Sequence, residues 1–350
     1  MNKIKIATGA KPTVNDIARH AGVSLATVDR VLNARPGVRT VTIDRVNKAI
    51  NELGYIRDTA AANLARRRVY RFVFLMPGTR SEFFDELQAQ IDAQSFALVN
   101  ERTHLRTQRV ARFDSREISV ALDSLQSDTT DGVAVIAPET PTVRDAVART
   151  RERGIAVVAL LTDLPSSPRD HFIGIDNTSA GATAAKLMGS LTHAESGRIL
   201  VLTGSRLSRD HLERRHGFDK VMAEQFPHLS VLPSIESRDD NELAEKLLPE
   251  VFSMRSDIRG IYSSAAGNNG LIQFLGSSSA KLITIAHELT PLSRSALQRG
   301  IFAALISQDA GHIVRSAVRL MRSTVDAVPF NAMQERIRIE IFLKENLPPC

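Results

Sequence analysis

The chain has 350 residues, 43% of them hydrophobic and 24% charged, which is typical of a globular protein with two or three domains. Its single cysteine, Cys350, excludes a disulfide within the chain and a thiolate cluster that could hold zinc or an iron–sulfur centre. The net charge of +6 is uneven, since residues 1–68 carry +8 and the remainder −2. A solvated basic surface is one explanation, and a small nucleic-acid-binding domain on a near-neutral body is the interpretation that we favour.

The N-terminal segment, MNKIKIATGAKPTV, contains two lysines but no continuous apolar run that could act as a signal peptide. No later stretch reaches the roughly 20 apolar residues that a membrane-spanning helix needs. We therefore expect a cytoplasmic protein that makes no contact with a membrane.

Residues 13–33, TVNDIARHAGVSLATVDRVLN, predict two short helices joined by a tight turn. Apolar residues recur every three or four positions in both halves, so each helix has one buried stripe. Gly22 suits a turn that a side chain resists, and Ser24 is a suitable N-cap for the second helix. The pattern predicts a helix-turn-helix, with a helical hairpin inside an unrelated core as the alternative. The solvent-facing residues of the second helix are Leu25, Ala26, Asp29 and Arg30.

The sequence AGVSLATVDRVLN, followed by TIDRVNKAINELGY at residues 42–55, resembles the signature of the LacI (lactose-repressor) family of bacterial transcription regulators. The resemblance implies that the second helix lies in the major groove of DNA, where Leu25, Ala26 and Arg30 contact bases. Asp29 and Arg39 each replace a serine of the family pattern; an aspartate repels phosphate but can accept from a cytosine amino group. The DNA-contacting residues predicted in this segment are Thr13, Ser24, Leu25, Ala26, Thr27, Asp29, Arg30 and Asn33.

A third predicted helix, capped by Thr40 or Thr42 and ended by Gly54, closes the core of a DNA-binding domain over residues 1–56. Residues 57–68, RDTAAANLARRR, favour a helix but have only Leu64 as a large apolar side chain. So short a helix is marginal in water. The resemblance implies a hinge helix that folds on DNA, with Leu64 entering the minor groove and kinking the duplex. A flexible basic linker is the alternative.

From Tyr70 onward, short apolar runs alternate with amphipathic stretches, and the series occurs twice. Runs rich in Val, Ile and Leu without alternation are typical of strands buried on both faces, and intervening helices indicate a parallel sheet. The sequence therefore predicts an α/β body of two doubly wound lobes over residues 69–350. This order resembles the periplasmic sugar-binding-protein fold, which implies three crossovers between lobes, near Asp163, Leu289 and Val328.

The resemblance also implies a sugar or polyol effector in the cleft between the lobes, where open α/β sheets place ligands. Sugars need aromatic faces for their C–H surfaces and planar amide, carboxylate or guanidinium groups for their hydroxyls. Glu288 stands where the family has an aspartate. The residues that match the family's effector site, or could substitute in it, are Phe83, Phe84, Arg214, Asn268, Glu288 and Gln308.

Each of these candidates has an alternative. Core packing is the alternative for the two phenylalanines, and we expect it for at least one of them. An exposed ion pair is the alternative for Arg214, and Asn269 could replace Asn268. Residues 176–177 also resemble a family pair, but a helix N-cap explains them and is preferred.

Enzyme motifs are poorly matched by this sequence. His211 and His216 lack the further ligands of a zinc site, and Gly204 lacks the lysine of a phosphate-binding loop. No Gly-x-Ser-x-Gly nucleophile motif occurs either. We expect no catalytic residue, no metal and no cofactor.

The sequence thus predicts a DNA-binding transcription regulator, a repressor, that forms a homodimer or tetramer and is controlled by a sugar-like effector. Two other classes share parts of the predicted fold. A sugar-binding transport protein would need an export signal and would have no use for the basic N-terminal domain. An α/β enzyme should show a nucleophile, a metal cluster or a dinucleotide motif.

Overall fold

The chain divides into two compact units, residues 1–68 and residues 69–350. Among the described helices, none is both long and apolar enough to cross a membrane. The computed structural model describes residues 12–32, 36–55, 68–78, 81–111, 114–237, 241–264, 268–277 and 282–349.

The helices of the described residues are α1 (Val14–Ala21), α2 (Leu25–Leu32), α3 (Thr40–Leu53), α4 (Glu82–Ala97), α5 (Ser115–Asp123), α6 (Pro141–Glu152), α7 (Asn177–Leu191), α8 (Arg209–Gln225), α9 (Asn241–Met254), α10 (Asn268–Ser277), α11 (Pro291–Gln298) and α12 (Ala310–Asp326). The strands are β1 (Tyr70–Pro77), β2 (Thr103–Val110), β3 (Gly132–Val135), β4 (Ala156–Leu160), β5 (His171–Ile173), β6 (Gly197–Thr203), β7 (Leu229–Val231), β8 (Ile235–Glu236), β9 (Ile258–Ser263), β10 (Ile283–His287), β11 (Ala304–Ser307) and β12 (Glu340–Phe342). Two short 3₁₀ helices are Val99–Glu101 and Lys344–Asn346.

The first unit is a three-helix domain in which α1 and α2 form the predicted helix-turn-helix. Gly22 takes a left-handed conformation (φ 59°) after α1, so the predicted role of this glycine is confirmed. The Ser24 hydroxyl accepts from the backbone N–H of Thr27 at 3.2 Å, as expected of a cap. The side chains buried between the helices are Ile17, Ala18, Ala21, Val28, Val46 and Ala49.

The third helix begins one residue earlier than its predicted caps allow. Arg39 occupies the N-cap position of α3 and its side chain makes no capping hydrogen bond. Capping by Thr40 or Thr42 is therefore wrong, because both residues lie inside the helix. The predicted end is confirmed, since Gly54 adopts a left-handed conformation (φ 60°) that closes α3.

The second unit contains two sheets, which confirms the predicted pair of α/β lobes. The first sheet has the strand order β2-β1-β3-β4-β5, and all of its pairs are parallel. The second sheet has the order β12-β11-β10-β9-β6-β7, with β8 also pairing with β6. Its pairs are parallel except for β12, which runs antiparallel to β11. Strand β1 is almost completely buried, as expected of a strand covered on both faces.

The chain passes between the lobes at three places, and two of them lie later than predicted. Strand β5 still pairs with β4 in the first sheet, so the first passage follows β5. Strand β11 still pairs with β10 in the second sheet, and the next helix, α12, packs on α4 and β4 of the first lobe. The positions near Asp163 and Leu289 are therefore too early. Val328 lies within the third passage, between α12 and β12.

Candidate functional site

A cavity lies between the two lobes of the body, at the carboxyl ends of the strands of both sheets. Its open volume is about 670 Å³, including the part that opens to solvent. The wall from the first lobe is mostly apolar and includes Pro77, Phe83, Phe84, Val110, Ile136 and Leu161. The wall from the second lobe is polar and consists of Ser208, Asp210, His211, Arg214, Glu288 and Gln308.

Five of the six residues predicted for the effector site line this one cavity, and Asn268 does not. The Asn268 side-chain amide donates to the His287 carbonyl at 3.0 Å, and its oxygen accepts from the Ser263 hydroxyl at 2.8 Å. Both bonds lie within the second lobe, where they connect α10 to β9 and β10. The alternative residue, Asn269, is not among the lining residues either.

Phe83 and Phe84 lie on the first turn of α4, where their rings contact each other. The ring centroids are 5.9 Å apart and the ring planes are inclined by 57°. Both side chains are buried and belong to the core of the body as well as to the cavity wall. Core packing and a place in the cavity wall are therefore compatible for both residues.

Arg214 reaches the cavity from α8 and is only 4% exposed. Its Nε donates to Asn177 Oδ1 at 2.8 Å, and its Nη1 donates to the Ser264 carbonyl at 3.0 Å. Its Nη2 lies 3.6 Å from Glu288 Oε1. An exposed ion pair, the alternative considered from the sequence, is excluded by this burial.

Glu288 and Gln308 contact each other in the polar wall of the cavity. Gln308 Nε2 donates to Glu288 Oε1 at 2.9 Å. Burial raises the pKa of Glu288, while the charge of Arg214 and the amide of Gln308 act in the opposite direction. Among the described residues, Glu288 Oε2, Gln308 Oε1 and the Thr162 hydroxyl are buried without a hydrogen-bond partner. An unpaired buried polar atom costs about 1–3 kcal/mol, so these three atoms favour a ligand that brings hydrogen bonds to them.

Two cavity residues have backbone conformations that non-glycine residues rarely adopt. Leu161 follows β4 with φ 64°, and Glu288 follows β10 with φ 69°. Their backbone N–H groups donate to Ile173 and Ile306 carbonyls at 2.9 and 2.8 Å. Left-handed conformations of this kind cost about 1–3 kcal/mol and are concentrated at functional sites. The surrounding sheet therefore fixes a strained turn on each side of the cavity.

Sequence reasoning missed three residues of the polar wall: Ser208, Asp210 and His211. Asp210 and His211 lie one helical turn before Arg214, so the spacing could have placed all three on one face of α8. The Ser208 hydroxyl donates to the Asp210 carboxylate, and His211 Nδ1 accepts from the Ser205 backbone N–H at 3.1 Å. Within the described part of the chain, no group of three potential ligands could hold a metal ion.

Asn177 is a further residue whose role the sequence did not reveal. Asp176 caps α7 by accepting from the Ser179 backbone N–H at 2.9 Å, as predicted. Asn177 instead is buried, accepts from Arg214, and donates to the Leu161 carbonyl at 3.3 Å. The N-cap explanation is therefore right for Asp176 and incomplete for Asn177.

Two glycines bring α7 and α8 into direct contact behind the polar wall. A methyl group at Gly181 would overlap the backbone carbonyl of Arg214. A methyl group at Gly217 would overlap the backbone carbonyl of Thr178. This close approach places Asn177 beside the guanidinium of Arg214.

In the helix-turn-helix unit, α2 presents a face that is free of core contacts. Ser24, Ala26 and Arg30 are exposed, and the side chain of Leu25 is 51% exposed. Within the described residues, the Arg30 side chain makes no hydrogen bond or ion pair. Val28 on the opposite side is fully buried.

Of the other residues predicted to contact DNA, three lie within the described part of the chain and two do not. Thr13 caps α1 in a capping box with Asp16, and its hydroxyl donates to Asp16 Oδ2 at 2.7 Å. Thr27 and Asp29 are partly buried on α2. Asn33, Leu64 and the rest of the predicted hinge up to residue 67 lie outside the described residues.

Two family models match the chain. Residues 13–58 match the lacI family of bacterial regulatory proteins, and residues 72–327 match a periplasmic binding protein domain. The chain belongs to the LacI family. Its DNA-binding unit and its body thus correspond to the two parts of this family of regulators.

Curated relatives of this LacI-family chain include transcriptional regulators. The regulator DegA of Bacillus subtilis is 26% identical over 61% of the chain and 61% of DegA. The regulator IdnR of Escherichia coli is 28% identical over 71% of the chain and 72% of IdnR. The chain thus spans less than two thirds of the length of DegA.

Solved structures give the same fold for the body of the LacI-family chain. A solute-binding protein of an ABC transporter from Burkholderia graminis, in complex with D-arabinose, superposes with a TM-score of 0.72 at 21% identity. The match covers 79% of this chain and 96% of that protein. At this identity the likeness establishes the fold alone.

Proposed function

We propose that this protein is a sequence-specific DNA-binding transcription regulator, a repressor, whose DNA affinity is controlled by a sugar-like effector. The observation that carries the proposal is the presence in one chain of an exposed helix-turn-helix face and a cavity with buried, unpaired hydrogen-bonding atoms. Family membership supports both halves. Catalysis has no part in this proposal.

The chemistry of the cavity favours a neutral polyol as the effector. Gln308 Oε1 accepts, and Glu288 Oε2 accepts when ionised and can donate when protonated, so both atoms suit hydroxyl groups, which donate and accept. The charged lining residues are two acids, Asp210 and Glu288, against one arginine, Arg214. A negatively charged group on the ligand would therefore be repelled, which disfavours phosphorylated sugars and sugar acids. The apolar wall with Phe83 and Phe84 suits the C–H face of a sugar ring, and the Burkholderia protein of this fold binds D-arabinose.

On the DNA side, α2 would lie in the major groove. Arg30 is unpaired within the described residues and long enough to donate to the edge of a guanine, while Leu25 and Ala26 would contact bases through apolar atoms. The excess of +8 in residues 1–68 supplies the phosphate contacts. Leu64, in the segment 57–68, would enter the minor groove.

We further propose a homodimer or tetramer that acts in the cytoplasm. Two copies of the helix-turn-helix, held one helical turn of DNA apart, read two half-sites. A hinge over residues 57–68 that folds only when two copies are close together would connect the orientation of the lobes to DNA affinity.

The test has two stages and uses the full chain. First, the protein selects a duplex from a random DNA library, and affinity for that duplex is measured against salt. With about six to ten phosphate contacts, log affinity should fall with log salt at a slope of roughly −5 to −9.

In the second stage, a panel of neutral sugars, sugar acids and sugar phosphates is screened by thermal denaturation. A specific ligand at about 100 times its Kd should stabilise the body by about 2.7 kcal/mol. The same sugar should change DNA affinity by about 5- to 150-fold. Failure to select any duplex, or a salt-independent affinity, would contradict the proposal.

A further inference from the structure

The buried side chain of Asn177 contacts both lobes of the body. This residue is the first of α7 and directly follows the first passage between the lobes. Its oxygen accepts from Arg214 in the second lobe at 2.8 Å. Its nitrogen donates to the carbonyl of Leu161, after β4 of the first lobe, at 3.3 Å.

We infer that Asn177 is a positioning residue that transmits effector binding at Arg214 to the orientation of the first lobe. The inference rests on the proposed function, in which Arg214 contacts the effector. An effector that hydrogen-bonds to Arg214 or to Glu288 would compete with the existing partners of the guanidinium and shift its position. Because the amide of Asn177 is planar, a shift of its oxygen also turns its nitrogen away from, or toward, the Leu161 carbonyl.

The packing of α7 and α8 makes this connection stiff on the side of the second lobe. Gly181 and Gly217 let the two helices touch through their backbones, so α7 and α8 move as one body. Asn177 and Arg214 therefore keep their relative position when the lobes rotate. The hydrogen bond to Leu161 is the part of the connection that spans the two lobes.

The structure also fixes the receiving end in the first lobe. Leu161 has φ 64°, and its N–H is bonded to the Ile173 carbonyl of β5, so the direction of its own carbonyl is determined by the sheet. A small rotation of the lobes changes the Asn177–Leu161 distance directly. On the side of Asn177, the bond to Arg214 restrains the amide that makes this contact.

Two other polar contacts between the lobes, within the described part of the chain, are more exposed. Arg209 Nη1 lies 2.8 Å from Glu139 Oε2, and the Leu292 N–H donates to Glu82 at 3.3 Å. Water competes for such partly exposed contacts and weakens them. Asn177 is only 2% exposed, so either of its partners left unpaired has no water to replace it.

The test compares loss of the donor alone with loss of the whole amide. Asn177→Asp keeps an acceptor for Arg214 and removes the donor to Leu161, while Asn177→Ala removes both without adding charge. The control is Asn268→Asp, since Asn268 also donates to a carbonyl and accepts one bond, but entirely within the second lobe. All variants are first shown to fold by thermal denaturation.

The readout is the distance between the lobes, which would not change if Asn177 only held Arg214 in place within the second lobe. Spin labels are placed at Val120→Cys in α5 and Met254→Cys in α9, two exposed positions on opposite lobes, in a Cys350→Ser background. Distances between the two spin labels are measured by pulsed electron paramagnetic resonance on the full chain. We expect a broader or shifted distance distribution for both Asn177 variants and an unchanged one for Asn268→Asp.

A second readout is affinity for the selected DNA duplex, which Asn177→Asp should change by about 5- to 150-fold. Unchanged distance distributions for both Asn177 variants, or an equal change in Asn268→Asp, overturn the inference. The distance measurement needs neither DNA nor sugar. A failure of the proposed function would therefore appear as a chain that selects no duplex while Asn177→Asp still alters the lobe distance.

Discussion

The backbone of Arg214 lies directly against Gly181 where α8 crosses α7, and no side chain fits between them. The glycine therefore determines where the arginine enters the cavity. A second glycine, Gly217, makes the same kind of contact with the backbone of Thr178. The polar wall of the cavity thus depends on helix packing as much as on the residues that line it.

Gly181→Ala should destabilise the body and displace Arg214. Overpacking of this kind typically costs about 1–3 kcal/mol, measured as the free energy of unfolding in urea. Affinity for the sugar found by thermal screening should fall as well. The control is Gly276→Ala, because Gly276 lies in α10 with open space around it and should gain up to about 1 kcal/mol. Equal stability of the two variants would show that α7 and α8 are not in the close contact described.

Glu288→Gln should change how the stability of the body depends on pH. Burial raises the pKa of Glu288 above its ordinary value of 4.5, so the folded protein holds this proton more tightly than the unfolded chain. Between 4.5 and the raised pKa, the contribution of Glu288 to the free energy of unfolding therefore falls as the pH rises. The glutamine variant lacks this dependence.

The difference in unfolding free energy, Glu288→Gln minus wild type, should therefore increase with pH across that window and become constant above it. Denaturation curves at a series of pH values measure this difference. A difference that decreases as the pH rises would mean that Arg214 and Gln308 outweigh burial and that the pKa of Glu288 is lowered.

Arg30→Ala should weaken specific DNA binding by about 1–3 kcal/mol and relax the preference at one base pair of each half-site. The reason is that Arg30 is exposed on α2 and makes no ion pair within the described residues. Binding to the selected duplex and to single-base variants of it measures both effects. Arg299→Ala, which removes an exposed positive charge from the body, is the control and should leave the base preference intact. Equal losses on selected and random DNA would assign Arg30 to phosphate contact.

The sequence was sufficient for the general architecture. The three- and four-residue spacing of apolar side chains, together with Gly22 and Gly54, determines the helix-turn-helix unit, and the structure confirms it. The uniformly apolar runs predicted two lobes with buried parallel sheets, which the strand order confirms. These features follow from local periodicity and from backbone conformations that only glycine adopts readily.

The details of the cavity depended on information that is not local in the sequence. The short strand β5 could belong to either sheet by composition, so the first crossover was placed too early. Asn268 was expected to substitute for a family pair that this sequence lacks, but its side chain bonds within its own lobe, to the Ser263 hydroxyl and the His287 carbonyl. Asn177 acquires its role only through the contact between α7 and α8, which two glycines permit and no spacing rule predicts.

The most direct test of the proposed function is the response of DNA affinity to the sugar found by thermal screening, compared between wild type and Arg214→Ala. In the wild type, the sugar should change affinity for the selected duplex by about 5- to 150-fold, and the duplex should change sugar affinity by the same factor. Arg214→Ala should bind the duplex within a few-fold of wild type without sugar and should lose the response. An unchanged response of Arg214→Ala at the same sugar concentrations would show that the effector does not bind in this cavity.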